Sequence, residues 1–145
     1  MTLNECFASG KLRRIRPDML KATKSLEAAE AKLNGAKALM DDNHADAALL
    51  YAYASMFGAG RAILYRDGIQ EKSHYCLAKY LEEKYLKTGK IDPGLITLLN
   101  TFREERHEIM YGFAEVAVRK EEAKEAISTA EKFLLKAKEL LSKKI

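Results

Sequence analysis

Two long stretches of this chain repeat small and large apolar residues every seven positions, a helical spacing. Between 17 and 42, Met19, Leu26, Leu33 and Met40 are interleaved with Ala22, Ala29 and Ala36. Between 120 and 143, Ala123, Ala130 and Ala137 run beside Ile127, Leu134 and Leu141. Apolar seams with alanine partners suit antiparallel helices at short separation, and no strand-like alternation survives beyond a few residues. Only two prolines and eight glycines interrupt 145 residues, so long segments are free to be helical.

The breaks are legible. Pro17 or Asp18 starts the first long helix, and "DDNHAD" supplies turn and capping residues after it. A second helix, about 45–66, carries a broad apolar face with Leu49, Tyr53, Met56, Phe57 and Leu64. Ala48, Ala52, Ser55, Ala59 and Ala62 form a small-residue face nearly opposite, so this helix is either the centre of its own bundle or part of a dimer interface. Gly68 after "RD" reads as a left-handed cap. Ser73 caps a shorter helix over Ser73–Leu86. "KTGKIDPG" is a loop whose Asp92-Pro93 starts another helix, running to about Tyr111 before Gly112 and "EVAV" break it. The expected fold is all-α: an up-and-down bundle of four main helices plus a short one, in a single domain with 1–16 as an N-terminal extension.

The net charge of +4 comes entirely from the start of the chain. Residues 1–40 hold eight basic and four acidic side chains, and the remainder holds seventeen of each. Such a field can attract phosphate backbones or simply solvate a helix face. Cys6 and Cys76 lack any CxxC or CxxH spacing and read as structural or unpaired thiols rather than a metal site or disulfide scaffold. "GAG" at Gly58–Gly60 lies inside a helix and reads as packing space, not a phosphate loop. No metal and no cofactor is expected. No apolar run approaches the ~20 residues of a membrane span, and a cytoplasmic protein is the expectation.

The segment "FREERHEIMYGF", Phe102–Phe113, poses the functional question. On a wheel of ~100° per residue, Leu95, Leu98, Leu99, Phe102, Ile109 and Phe113 share one arc, and Arg106 falls inside it. Arg103, His107 and Tyr111 form a row along its flank. A guanidinium stays charged, so a buried one needs a carboxylate, carbonyls or an anionic ligand. Either an ion pair ties helices together here, or Arg106 and Arg103 clamp a phosphate with His107 or Tyr111 handling a proton. Of the other candidates, His74 reads as a capping or packing residue and His44 as a solvated turn residue. One of Tyr51 and Tyr53 is expected in the core and the other along a cleft.

"YAYASMFGAGRAILYRDGIQEKSHYCLAKYLEEKY", followed by "REERHEIMYG", resembles the HEPN domain family, in particular its stand-alone prokaryotic branch. The pieces that carry the likeness are "YxYASMF", "KSH" at Lys72–His74 and the arginine-to-tyrosine-glycine segment, and it extends over about 17–143. The resemblance implies a dimerising bundle that brings two arginine–histidine motifs into one cleft and, in active members, metal-independent RNA cleavage. The usual motif is an arginine, four to six residues, then a histidine. Here the residue after four intervening positions from Arg106 is Tyr111, not histidine, and His107 follows Arg103 with only three residues between. A phenol titrating near ~10 is a poor base at neutral pH.

The leading expectation is therefore a homodimeric protein that binds nucleotide or RNA phosphates around Arg106, with Arg103 beside it, in a toxin–antitoxin or defence system. One rival is a ribonuclease using Arg106 with His107 or Tyr111. Another is a non-catalytic helical subunit that docks a minimal nucleotidyltransferase.

Overall fold

A computed structural model describes residues 1–112 and 117–143, so Phe113 and part of the expected "EVAV" break lie outside the described residues. Helix α1 spans Leu3–Ala8 and strand β1 Leu12–Arg14; α2 is Met19–Asp41 and α3 Ala45–Asp67. Strand β2, Ile69–Glu71, pairs antiparallel with β1, placing Leu12 opposite Glu71 and Arg14 opposite Ile69. Helix α4, His74–Leu81, runs on into a π-helical turn at Glu82–Leu86. Helices α5, Pro93–Tyr111, and α6, Lys120–Ser142, complete the bundle. Among the described residues the protein is all-α apart from the two short strands, which sequence periodicity over three residues does not reveal.

Local chemistry sets most boundaries. Asp18 accepts a hydrogen bond from the Lys21 N–H at 3.0 Å, and Ser73 accepts from that of Cys76 at 3.1 Å. Asp92 accepts from the Gly94 N–H with Pro93 in the first turn of α5. Gly68 ends α3 at φ 80°, where an added Cβ would sit 2.7 Å from the Ile15 carbonyl oxygen.

Helix α3 is the axis of the fold. Ala48, Ala52, Ser55, Ala59 and Ala62 are all 0% exposed within the single chain, as are Leu49, Met56 and Leu64 on its other side. The helix is therefore the centre of its own bundle, and a dimer would have to use a different surface. Its composition would also suit a membrane span (mean hydropathy 1.3), but 67% of that window is buried inside the chain. Against α2 the contact is alanine-led: Ala22, Ala29 and Ala36 are buried, whereas Met19 is exposed. The Ser55 hydroxyl donates to the Ala29 carbonyl at 2.7 Å, and a Cβ on Gly58 would lie 3.2 Å from that of Ala29. Such backbone proximity needs small residues on both helices. Gly60 likewise makes room, here for Leu77 of α4, in keeping with its reading as packing space.

Residues 1–16 are built into the domain rather than extending from it. Lys72 N–H donates to the Lys11 carbonyl at 2.9 Å, and the Tyr75 hydroxyl to that of Met1 at 3.0 Å. The expectation of lone thiols fails: Cys6 and Cys76 form a disulfide joining α1 to the first turn of α4, with Cα atoms 5.8 Å apart. A separation of 70 residues carries no local signal for that pairing. Disulfides persist in oxidising compartments and, in hyperthermophiles, inside the cell, so the bond bears directly on the cytoplasmic expectation.

Candidate anion-binding site

The C-terminal half of α5 and the first residue of α4 border a cavity of about 840 Å³. Arg103, Arg106 and His107 line it from α5, and His74 from α4. Thr101, Glu104, Glu105 and Glu108 complete the lining.

This geometry explains the arginine inside the apolar arc. Leu95, Leu99 and Phe102 are buried and Ile109 packs partly buried against the core, whereas Arg106 is only half-buried and lines the cavity. Its guanidinium carbon lies 5.9 Å from the centre of the Tyr53 ring, and among the described residues it has no ion-pair partner. Arg103 sits 5.5 Å from the Tyr75 ring centre and donates to the Asn100 Oδ1 at 3.5 Å. Its closest carboxylate, Glu104, stands at 4.0 Å, and its Nε is buried without a partner among the described residues. Arg61 is held by Glu71 at 2.8 Å, Arg66 by Asp67 at 3.1 Å (its Nε is likewise buried without a partner among the described residues) and Arg119 by Glu122 at 2.9 Å. The helix-tying ion pair that sequence reasoning allowed for Arg106 is absent among the described residues.

His74, read from the sequence as a capping or packing residue, does pack, and it also lines the cavity. Its Nδ1 lies 2.8 Å from the Tyr53 hydroxyl, and its ring stacks on Phe57 with centres 3.9 Å apart. Burial, then the guanidiniums of Arg106, Arg61 and Arg103, push its pKa down from 6.5 to about 4. Burial pushes the Tyr53 phenol up to about 12, against the pull of Arg106 and Arg103. Tyr53 is thus the core tyrosine that also backs the cleft. Tyr51 is exposed, with the Lys32 ammonium 4.7 Å from its ring centre. His44 is solvated and reaches Asp42 at 3.2 Å. The only local signal for His74 was "KSH", where Ser73 as cap makes the histidine the first residue of α4.

His107 faces the cavity and is exposed; Tyr111, 60% exposed, is not part of the lining and packs on His107 with ring centres 5.1 Å apart. Glu105 of α5, which lines the cavity, also shares a groove with Arg119 and Glu122 at the start of α6. Burial and the neighbouring Glu122 carboxyl raise the Glu105 carboxyl to about 7, with Arg119 opposing.

Fold and site together define a small helical domain with a guanidinium-lined cleft. The chain belongs to the HEPN domain family, whose profile matches residues 22–140. It is similar to a protein of Methanocaldococcus jannaschii named "Putative toxin MJ0142", 31% identical over 123 residues, which cover 84% of this chain and 83% of that protein.

Proposed function

We propose that this HEPN protein binds nucleotide or RNA phosphates in the cleft around Arg106, as a toxin-like component of a paired or defence system. The observation that carries this reading is the pairing state of the arginines. Arg106 and Arg103 border one cavity; among the described residues Arg106 has no carboxylate partner, and Arg103 meets only Glu104, at 4.0 Å. Guanidinium nitrogens on one cavity can donate to a shared anion, and their planar forks match phosphate oxygens. The resemblance to a protein named as a toxin supports the biological setting. A homodimer remains part of the proposal, with a second copy closing the open side of the cleft; a minimal nucleotidyltransferase is the proposed protein partner.

The cleavage reading has its own support, since His107 shares the cavity with both arginines. In that chemistry an imidazole takes the proton of a ribose 2′-hydroxyl, whose oxygen bonds to phosphorus; a guanidinium stabilises the phosphorane charge, and the P–O5′ bond breaks as the 5′-oxygen leaves with a proton from the imidazolium or from water. Tyr111 would act through its contact with His107, because it lies off the cavity lining. The test incubates purified protein with single-stranded RNA in the presence of chelator, beside His107→Ala, Tyr111→Phe and Arg106→Met. Loss in the arginine variant and in one of the other two establishes a metal-independent ribonuclease. Binding without cleavage establishes the phosphate-binding domain. Cleavage surviving in all three variants refutes the assignment of the site.

A further inference from the structure

We propose that His74 is a binding residue of the cleft, whose Nε2–H donates a hydrogen bond to a phosphoryl oxygen held by Arg103 and Arg106. This role rests on the phosphate-binding reading and adds a third donor from a second helix.

The Tyr53–His74 contact at 2.8 Å allows two proton arrangements. If Nδ1 carried the proton and donated to the phenol oxygen, the phenolic hydrogen would need another acceptor. The described residues offer none, and Tyr53 is only 2% exposed. A buried hydroxyl left without an acceptor is costly, so the phenol donates to Nδ1. In a neutral imidazole the proton then resides on Nε2. The ring is neutral at ordinary pH because burial and the charges of Arg106, Arg61 and Arg103 oppose protonation. Glu71, the nearby carboxylate, is engaged by Arg61.

Nε2 has no hydrogen-bond partner among the described residues, and His74 lines the cavity. The ring is also fixed in direction. It stacks on Phe57 at an interplanar angle of 13° and on Tyr53 at 17°, with centres 3.9 and 5.7 Å away. The N–H shares its cavity with the Arg103 and Arg106 guanidiniums and with the Glu104, Glu105 and Glu108 carboxyls, and it can donate only to an acceptor such as a phosphoryl oxygen, not to an ammonium. It adds a donor without adding charge, which distinguishes His74 from a proton-transferring histidine.

The test titrates inorganic phosphate into the full-length, nitrogen-15-labelled protein at neutral pH and follows the histidine ring signals. The expected result is a His74 ring protonated at Nε2, with that signal moving saturably as phosphate binds. His74→Phe keeps the aromatic stack but lacks the donor, and should weaken phosphate binding about tenfold. His74→Gln restores an N–H near the same place and should recover most of the affinity. A ring protonated at Nδ1, a His74 signal unmoved at saturating phosphate, or unchanged affinity in His74→Phe overturns the proposal. Should the phenylalanine variant fail to fold, the wild-type signals decide alone. Phosphate binding that Arg106→Met abolishes while His74 stays silent rejects this role and leaves the cleft reading standing. No phosphate binding by the wild type rejects both.

Discussion

Replacing His74 with phenylalanine isolates the energetic consequence of setting an imidazole among three guanidiniums. The folded protein holds the His74 pKa at about 4, against an ordinary 6.5, through burial first and then Arg106, Arg61 and Arg103. The unfolded chain therefore binds more protons than the folded one between those values, and stability falls as pH drops through that window. At about 1.4 kcal/mol per pH unit the full gap would be ~3 kcal/mol. The ring is half-buried, so solvent screening reduces this to roughly 1–2 kcal/mol. Urea unfolding of wild type and His74→Phe at pH 7.5, 6.5, 5.5 and 4.5 reads it out, well away from any effect above pH 7. The wild type should lose roughly 1–2 kcal/mol more than the variant between the two extremes. Glu105, raised to about 7, favours the folded state as pH falls, but it is present in both proteins and largely cancels. A stability difference that stays constant with pH would refute the account of His74 as a buried neutral ring.

Three further outcomes follow from the packing. Gly68→Ala forces a left-handed residue at φ 80° and brings a Cβ to 2.7 Å from the Ile15 carbonyl oxygen, so thermal unfolding should show a loss of roughly 1–3 kcal/mol. Cys6→Ser opens a loop with a sequence separation of 70, and urea unfolding without reductant should record a loss of roughly 2–4 kcal/mol; no loss would mean the bond is not formed in solution. Glu105→Gln keeps the side chain's shape but removes the titration near pH 7, so urea unfolding should show less stabilisation gained between pH 7.5 and 5.5 in that variant.

The helix ends were legible because capping is local. Asp18, Ser73 and Asp92 each accept a backbone N–H two or three residues ahead, and Gly68 adopts a conformation other residues avoid. The candidate site was legible in part for the same reason: Arg103, Arg106 and His107 belong to one helix and one periodic pattern. A wheel gives direction but not covering, so it placed Arg106 toward the core without showing that it is only half-buried. His74 and the Cys6–Cys76 bond depend on α4 meeting α5 and α1, contacts with no signature in either segment alone. The small face of α3 was ambiguous because close packing inside one chain and between two chains demands the same residues. Its complete burial by α2 and α6 removes it as a reason for dimerisation.

The most direct measurement of the central claim is RNA affinity at several salt concentrations for wild type, Arg106→Met and Lys138→Met. Both variants remove one positive charge, but Lys138 borders a different groove, between α2 and α6, and reaches Glu30 at 3.2 Å. Non-specific attraction to a basic protein would weaken similarly in both. A phosphate site around Arg106 predicts a loss of about tenfold or more in Arg106→Met alone, with its unfolding temperature close to that of wild type. Equal, small losses in the two variants would contradict it.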